Sequence, residues 1–548
     1  MRGRAGADGG TVDSFSPLAY RDAAVAIVAG GALGASFVDF RLFVLPWLAI
    51  APLLAIIESA RPRYALRLGW LAGMIGIGLA FAWLVYAFRV FGGFPLPVAV
   101  LLYLPLVAWM GFEIGLFTTL VAWLGPLPFG LTAPLAFTAV EFLFPSLFPW
   151  RLAHSQYRLP TLLQTGELAG PSLLGFTVVW VNAAVLAAGR ALVGRRAGGG
   201  AAPPRATRGM PLTIALPLLL AATLAAFGAW RLADVRAARA RAPALRVGVV
   251  QGNISIEHKG DRAFFGRNLD AYRDASRAIA DDVDLLIWPE TVFQHRIAAE
   301  RARLDGDDDP FSGAPRPLLF GGLAIAYGDG GPARVYNSAF LRGADGHVAG
   351  RYDKRVLVPF GEYMPLGDRI PRLRELSPAT SNFAAGGEPA VLMLDPSARL
   401  GALICYEDVI PGPARAAAAK GATLLVNLTN DAWYGDGAEP LQHQALAIWR
   451  TVETRRDLVR ATNSGWTSVL AATGEVMAEL PTFRLGTLTT EVRLLSGTTV
   501  YTAVGDVFAW AVVMIVAGAS ALRSRKARPG PSGSRRRSRR TGRARAHR

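Results

Sequence analysis

The feature that most restricts this chain is a succession of apolar runs, each close to the roughly 20 residues a helix needs to cross about 30 Å of hydrocarbon. Eight stand out, at residues 23–37, 42–57, 66–88, 96–124, 127–147, 171–193, 211–232 and 502–522. Lipid offers no partner for a free backbone N–H or C=O, so runs of this kind must close their hydrogen bonds internally, as helices. Other runs follow the first at once, so it reads as an uncleaved anchor. Hydrophobic residues make up 52% of the chain, above the roughly 45–50% of soluble domains.

The formal net charge of +17 looks at first like a nucleic-acid signal. Residues 523–548, however, hold twelve Lys and Arg and no acid, which leaves five of the seventeen charges for the rest of the chain. An Arg/Ser/Gly/Pro tail cannot bury a core, so it is expected to be disordered and to face anionic lipid. It has no aromatic residues to stack on bases, so no nucleic-acid partner is expected. Arg61, Arg63 and Arg67 lie between the second and third runs or at the edge of the third, and Arg190, Arg195, Arg196, Arg205 and Arg208 at the end of the sixth or between it and the seventh. These basic loops mark the cytoplasmic side. The resulting division is a seven-span helical domain over 1–232, an outer-face domain over 233–501, an eighth span over 502–522 and a basic cytoplasmic tail over 523–548. Residues 198–204 read as a flexible linker. On the outer side, 150–170 gathers His154, Ser155, Gln156, Tyr157, Gln164 and Glu167. That stretch is either a solvated loop or a substrate-gathering one.

The outer block alternates strand-like runs (245–251, 283–288, 317–325, 335–341, 400–405, 422–427, 458–462, 466–471) with helix-like ones (264–279, 414–420, 440–456). Alternation of this kind implies an α/β domain, a sheet with helices packed on it. Its chemistry centres on Cys405, the only cysteine in the chain, placed where the apolar run 401–404 breaks into Tyr406-Glu407-Asp408. A strand-to-turn junction is where backbone N–H groups favour a thiolate, although a lone cysteine is often a buried small hydrophobe. With an ordinary pKa near 8.5, only about 3% of a thiol is ionised at neutral pH, so a base and a cation are wanted beside it. Glu290, delivered at the tip of the buried run 285–289, suits the first task. Lys354, just ahead of the apolar run 356–360, suits the second. Glu362 sits in the Gly- and Pro-bounded turn 359–365, a poor setting for a merely solvating acid.

The motifs Trp288-Pro289-Glu290, Lys354 followed by Val358-Pro359-Phe360-Gly361-Glu362, and Cys405-Tyr406-Glu407 resemble the Glu-Lys-Cys signature of the nitrilase superfamily. With the eight-span frame, they resemble its membrane-embedded apolipoprotein N-acyltransferase family. Gln251-Gly252-Asn253-Ile254, Tyr336-Asn337-Ser338-Ala339, residues 427–435 and residues 460–465 match in the same order. The resemblance implies an αββα sandwich inserted between spans seven and eight on the periplasmic side of a bacterial inner membrane. It implies a ping-pong acyl transfer through a Cys405 thioester, from a phospholipid such as phosphatidylethanolamine to a diacylated apolipoprotein, carried out by a monomer without a cofactor. By the same match Glu290, Lys354 and Cys405 are catalytic, Glu362 orients Lys354, Tyr406 and Glu407 support the thioester pocket, and Phe360 and Trp433 line the lipid-facing mouth. One departure is Gly260, where the family pattern has an aromatic residue after Lys259.

None of the six histidines has metal-ligand spacing, so no metal is expected, and His443 reads as structural. Two other readings compete. A membrane-anchored amide or nitrile hydrolase would use the same three residues but would not need eight spans. A transporter or lipid-binding scaffold would show intramembrane charge pairs or broken helices, and only Glu58, Glu113 and Glu141 offer themselves.

Overall fold

Proline at the first helical position presets φ and forfeits no hydrogen bond, and helices here start at Pro46 and Pro62 in that way. The structure, a computed structural model, describes residues 17–90, 92–196, 210–255, 259, 262–314, 316–327, 333–367, 369–375 and 380–527. Among the described residues five helices are long and apolar enough to cross a membrane: Pro17–Val38, Leu96–Leu124, Pro171–Arg196, Met210–Arg241 and Val507–Ala527. A sixth candidate is a pair, Pro62–Ala80 and Leu84–Val90, bent by 54°. The expected runs at 42–57 and 127–147 contain helices of only 12 residues, Pro46–Ile57 and Thr132–Leu143. Length alone therefore supports five or six crossings where hydropathy suggested eight. Val28, Leu101, Leu219, Trp230, Met514 and Ile515 point outward from these helices, as side chains facing lipid do. The linker 198–204, Gly260 and the tail beyond residue 527 lie outside the described residues, but 523–527, expected to be disordered, continue the last helix.

Helices in lipid pack through small residues that let backbones touch. A Cβ on Gly73 would lie 2.1 Å from the Gly111 carbonyl oxygen, and one on Gly30 would lie 2.1 Å from that of Ala72. Gly73→Val is therefore expected to force its helix off Leu96–Leu124 and to cost about 1–3 kcal/mol. The check is thermal unfolding of the detergent-solubilised protein, where an unchanged midpoint would contradict this packing.

The stretch 244–493 carries thirteen strands among the described residues. The first seven are β1 (Ala244–Gln251), β2 (Leu285–Ile287), β3 (Phe293–Ala298), β4 (Leu318–Ala326), β5 (Arg334–Arg342), β6 (Val348–Asp353) and β7 (Val391–Met393). The others are β8 (Arg399–Ile404), β9 (Leu424–Thr429), β10 (Leu458–Thr462), β11 (Thr467–Leu470), β12 (Val476–Leu480) and β13 (Gly486–Arg493). One sheet runs β13-β1-β2-β4-β5-β6, with β3 on β4, and the other runs β12-β11-β10-β9-β8-β7. In each sheet the central strands are parallel (β1, β2 and β4; β8, β9 and β10). Strands of this kind are covered on both faces and read as continuous apolar runs.

Val247, Ile287 and Leu341 from one sheet meet Leu400, Val426 and Val459 from the other in a single buried core. Helix Phe265–Ile279 covers the far face of the first sheet through Leu269 and Tyr272. Helices Pro411–Ala419 and Glu439–Thr454 cover the second, and their buried Ala414 and Trp449 share one cluster with Phe37 of the first apolar helix, Trp83 at the break of the bent pair and Leu152 of the 150–170 segment. The α/β layers and the apolar bundle thus form one continuous interior.

The segment 150–170 is not a solvated loop. His154, Ser155, Gln156 and Gln164 are fully buried. Trp47 donates to Gln156 at 3.0 Å, Gln164 donates to the Thr473 carbonyl at 2.8 Å, and Arg455 and Arg231 each reach Glu167 at 2.7 Å. The bonds of Gln164 to Thr473 and of Arg455 to Glu167 join the bundle to the α/β domain, each pairing a buried donor with a buried acceptor. Glu141 belongs to the same joint, accepting the Leu152 N–H at 2.7 Å.

Candidate active site

Side chains that emerge beyond the carboxyl ends of parallel strands converge on one crevice, and the two sheets each deliver part of this site. Glu290 follows β2, Asn337 lies on β5, Lys354 follows β6, Cys405 follows β8 and Thr429 ends β9. Lys354 is 1% exposed. Its Nζ stands 2.8 Å from Glu362 Oε2 and 3.8 Å from Glu290 Oε1. Asn337 donates to both carboxylates, at 2.7 Å to Glu290 and 3.0 Å to Glu362, and the Val358 N–H adds a 2.9 Å bond to Glu362. Burial works against the Lys354 ammonium, but Cys405, Glu362 and Glu290 outweigh it and hold its pKa above the usual lysine range. Lys354 is a fixed cation.

Cys405 has φ +50°, a left-handed conformation that costs a non-glycine residue energy and persists only when its surroundings impose it. Glu407 and Asn427 impose it. Glu407 accepts the N–H groups of Ile404, Arg355 and Val356 at 2.9, 2.8 and 3.1 Å and the Tyr352 hydroxyl at 2.8 Å, and Asn427 donates to the Cys405 carbonyl at 3.0 Å. Burial pushes the thiol's pKa well up and Glu290 adds to it, while Lys354 and a hydrogen bond from Thr429 pull the other way. At rest the sulfur therefore carries its proton and needs a base to remove it.

Cys405, Glu290, Lys354 and Glu362 open together into a cavity of about 1390 Å3. Leu84, Phe88, Leu102 and Leu106 of the membrane helices, with Phe94 between them, wall one side, and Phe360 and Trp433 also line it, Phe360 being 57% exposed. Tyr406 lines it as well, and its hydroxyl donates to the Leu147 carbonyl at 2.6 Å. All eight residues proposed from the sequence thus lie in or directly behind one pocket. Asn337 and Lys259 were not singled out, although both stand in or beside matching motifs. Lys259 lines the cavity and donates to the Glu290 carbonyl at 2.8 Å. Burial brings its ammonium down to about 8 against the pull of Glu290 and Cys405.

Residues 29–184 match the apolipoprotein N-acyltransferase N-terminal domain, and residues 314–500 match the carbon-nitrogen hydrolase domain. A curated apolipoprotein N-acyltransferase from Geobacter metallireducens is 32% identical over 93% of this chain and 97% of its own. One from Azotobacter vinelandii is 32% identical over 93% and 96%. The chain belongs to the apolipoprotein N-acyltransferase family. A solved amidase of the nitrilase superfamily from Nesterenkonia is similar over 45% of this chain and 90% of its own, at 23% identity and a TM-score of 0.33. The family match spans both the helical bundle and the α/β domain that share the cavity.

One group among the described residues has metal-like geometry, Asp431, Glu439 and His443. His443 Nδ1 faces Asp431 at 2.9 Å and Nε2 faces Asp408 at 2.8 Å. Both ring nitrogens are therefore occupied by carboxylates, and neither is left to ligate an ion.

Proposed function

We propose that this protein is an acyltransferase that moves an acyl chain from a phospholipid, by way of a thioester on Cys405, to the N-terminal amine of a diacylglyceryl-cysteine lipoprotein. The observation that carries the reading is a thiol, an acid and a fixed cation opening into a cavity walled by apolar membrane helices. A water-soluble amide would have no use for that wall; a lipid ester would. The names of the curated relatives support the same reaction.

In the first half-reaction Glu290 takes the thiol proton and the sulfur attacks the ester carbonyl. Lys354 and the backbone N–H groups after Cys405 hold the oxyanion. As the C–O bond breaks, Glu290 returns the proton to the departing oxygen, and a lysophospholipid leaves. In the second, the acceptor's α-amine attacks the thioester carbonyl, Glu290 collects its proton and passes it to the sulfur as the C–S bond breaks, and the Cys405 thiol and the Glu290 carboxylate are both regenerated. Glu362 holds Lys354 in place through their 2.8 Å contact, and Glu407 and Tyr406 brace the turn. Phe360 and Trp433 form the mouth through which both lipids enter. An apolar site favours the amine over the far more abundant water. The donor class includes phosphatidylethanolamine. The enzyme acts as a monomer in the inner membrane, with residues 233–501 on the periplasmic face between the seventh and eighth of eight helical passes, two of them short.

The test is the purified protein with a phospholipid and a diacylated lipopeptide. The expected products are the triacylated peptide and one equivalent of lysophospholipid, both read by mass spectrometry. Release of free fatty acid with no change in the peptide would make the protein a hydrolase and overturn the proposal.

A further inference from the structure

Behind the nucleophile lies a charged cluster that the acyl-transfer steps leave unused. Asp408, Asp431 and Arg460 are 0% exposed and His443 is 7% exposed. Asp408 closes the turn that begins with Cys405, Asp431 opens the turn that carries Trp433 and Tyr434, and His443 sits on helix Glu439–Thr454. A carboxylate only accepts hydrogen bonds, so a ring with a carboxylate oxygen on each nitrogen must carry two protons. His443 is thus an imidazolium. Arg460 donates to the other Asp408 oxygen at 2.9 Å. Two cations then balance two carboxylates, provided that Glu439 stays neutral. Burial and the nearby Asp431 push the Glu439 pKa well up, which keeps it so.

The cluster reaches the sulfur and the membrane from opposite ends. Thr429, whose hydroxyl bonds the Cys405 sulfur, also lies 3.3 Å from the Asp431 oxygen that His443 holds. One residue before His443, Gln442 donates to the carbonyls of Phe37 at 3.0 Å and Ala80 at 2.8 Å and accepts from the Trp83 indole at 2.9 Å. Those carbonyls are the unpaired ends of two membrane helices, and Ala80 is where the bent pair breaks.

We propose that His443 is a positioning residue: clamped as an imidazolium between Asp408 and Asp431, it locks the strained Cys405 turn and the Thr429 hydroxyl in register. With Gln442 beside it, it fixes both to the membrane helices that wall the cavity.

The pH dependence follows from the groups that face His443. Asp408 comes from the nucleophile turn, Asp431 from the turn after β9, Glu439 from its own helix (3.8 Å), and Arg460 from β10 behind Asp408. Burial opposes the charge, but Asp408 and Asp431 prevail and raise the ring to about 10. The stabilisation is complete below the ordinary histidine range, near 6.5, and is lost as pH rises through about 10.

The test measures acyl transfer and iodoacetamide alkylation of Cys405 in wild type, His443→Gln and Asp408→Asn, using the full-length protein in detergent. His443→Gln is expected to lower kcat about 10- to 100-fold, the scale of a small misplacement of a reacting group, with KM for the phospholipid within about twofold. Asp408→Asn keeps the ring but removes one carboxylate, so the alkaline limb of its kcat profile should move to lower pH by about one unit or more. If His443→Gln fails to fold, the Asp408→Asn profile still decides. The kinetic arm rests on the acyl-transfer reading, whereas the alkylation arm does not, and there His443→Gln should slow alkylation about tenfold. Unchanged kcat and alkylation, a defect confined to KM, or an Asp408→Asn limb that stays where wild type has it would each overturn the proposal.

Discussion

Replacing Lys354 by methionine is expected to lower kcat by roughly two to three orders of magnitude, the usual effect of removing one donor to a developing oxyanion, while KM for the phospholipid changes little. The reason lies in what the ammonium faces. It is buried between Glu290 and Glu362, whose charges favour its own, and no lipid headgroup is needed to explain it. Methionine fills the space but leaves two carboxylates a short distance apart, bridged only by Asn337. Breaking a buried ion pair on one side costs about 3–5 kcal/mol, so a stability loss could imitate a catalytic one. The double variant Lys354→Met/Glu362→Gln separates them: its melting temperature should recover towards wild type while kcat stays low. A variant whose KM rises while kcat holds would show that Lys354 binds substrate and does not serve the transition state.

The second large effect is expected at Cys405. Alanine there removes the only nucleophile the geometry offers, and turnover should fall by at least about 10^5-fold, the order seen when an attacking group is deleted outright. The fold should survive, because the turn is held by Glu407 and Asp408 and not by the sulfur. Relief of the φ +50° conformation is available only to glycine, so Cys405→Gly should be equally inactive and no less stable than Cys405→Ala in thermal unfolding.

Much of this site was legible in the sequence because the chemistry of a buried thiol calls for few residue types. Glu290 and Cys405 each follow an apolar run, β2 and β8, and Lys354 stands just ahead of one, 356–360. The strands the sequence did not reveal are the polar ones and β7, whose three apolar residues are too short a run to stand out. β6 reads Val-Ala-Gly-Arg-Tyr-Asp and β3 reads Phe-Gln-His-Arg-Ile-Ala, and neither shows the continuous apolar run of a central strand. Partners distant in sequence were hidden for a different reason. Gln164 meets Arg455, and Gln442 meets Phe37 and Ala80, across hundreds of residues, and nothing local distinguishes a buried glutamine from a solvated one. His443 could be read as structural, but not as doubly clamped, because its two carboxylates arrive on separate turns. Hydropathy marks eight apolar runs but does not register where a helix stops, so it cannot tell a full-length span from a short helix. Pro46–Ile57 and Thr132–Leu143 end early, and the 54° bend after Ala80 falls inside a single apolar run.

The central claim is that the acyl chain rests on one sulfur between its two carriers. Its most direct test is to incubate the purified protein with a phospholipid and no acceptor, then to digest it and weigh the peptide that carries Cys405. The account predicts a mass gain of one fatty acyl chain on that residue, released by neutral hydroxylamine and discharged onto a diacylated lipopeptide when one is added. An unmodified Cys405 peptide beside an active enzyme, or the same label on Cys405→Ala, would contradict it.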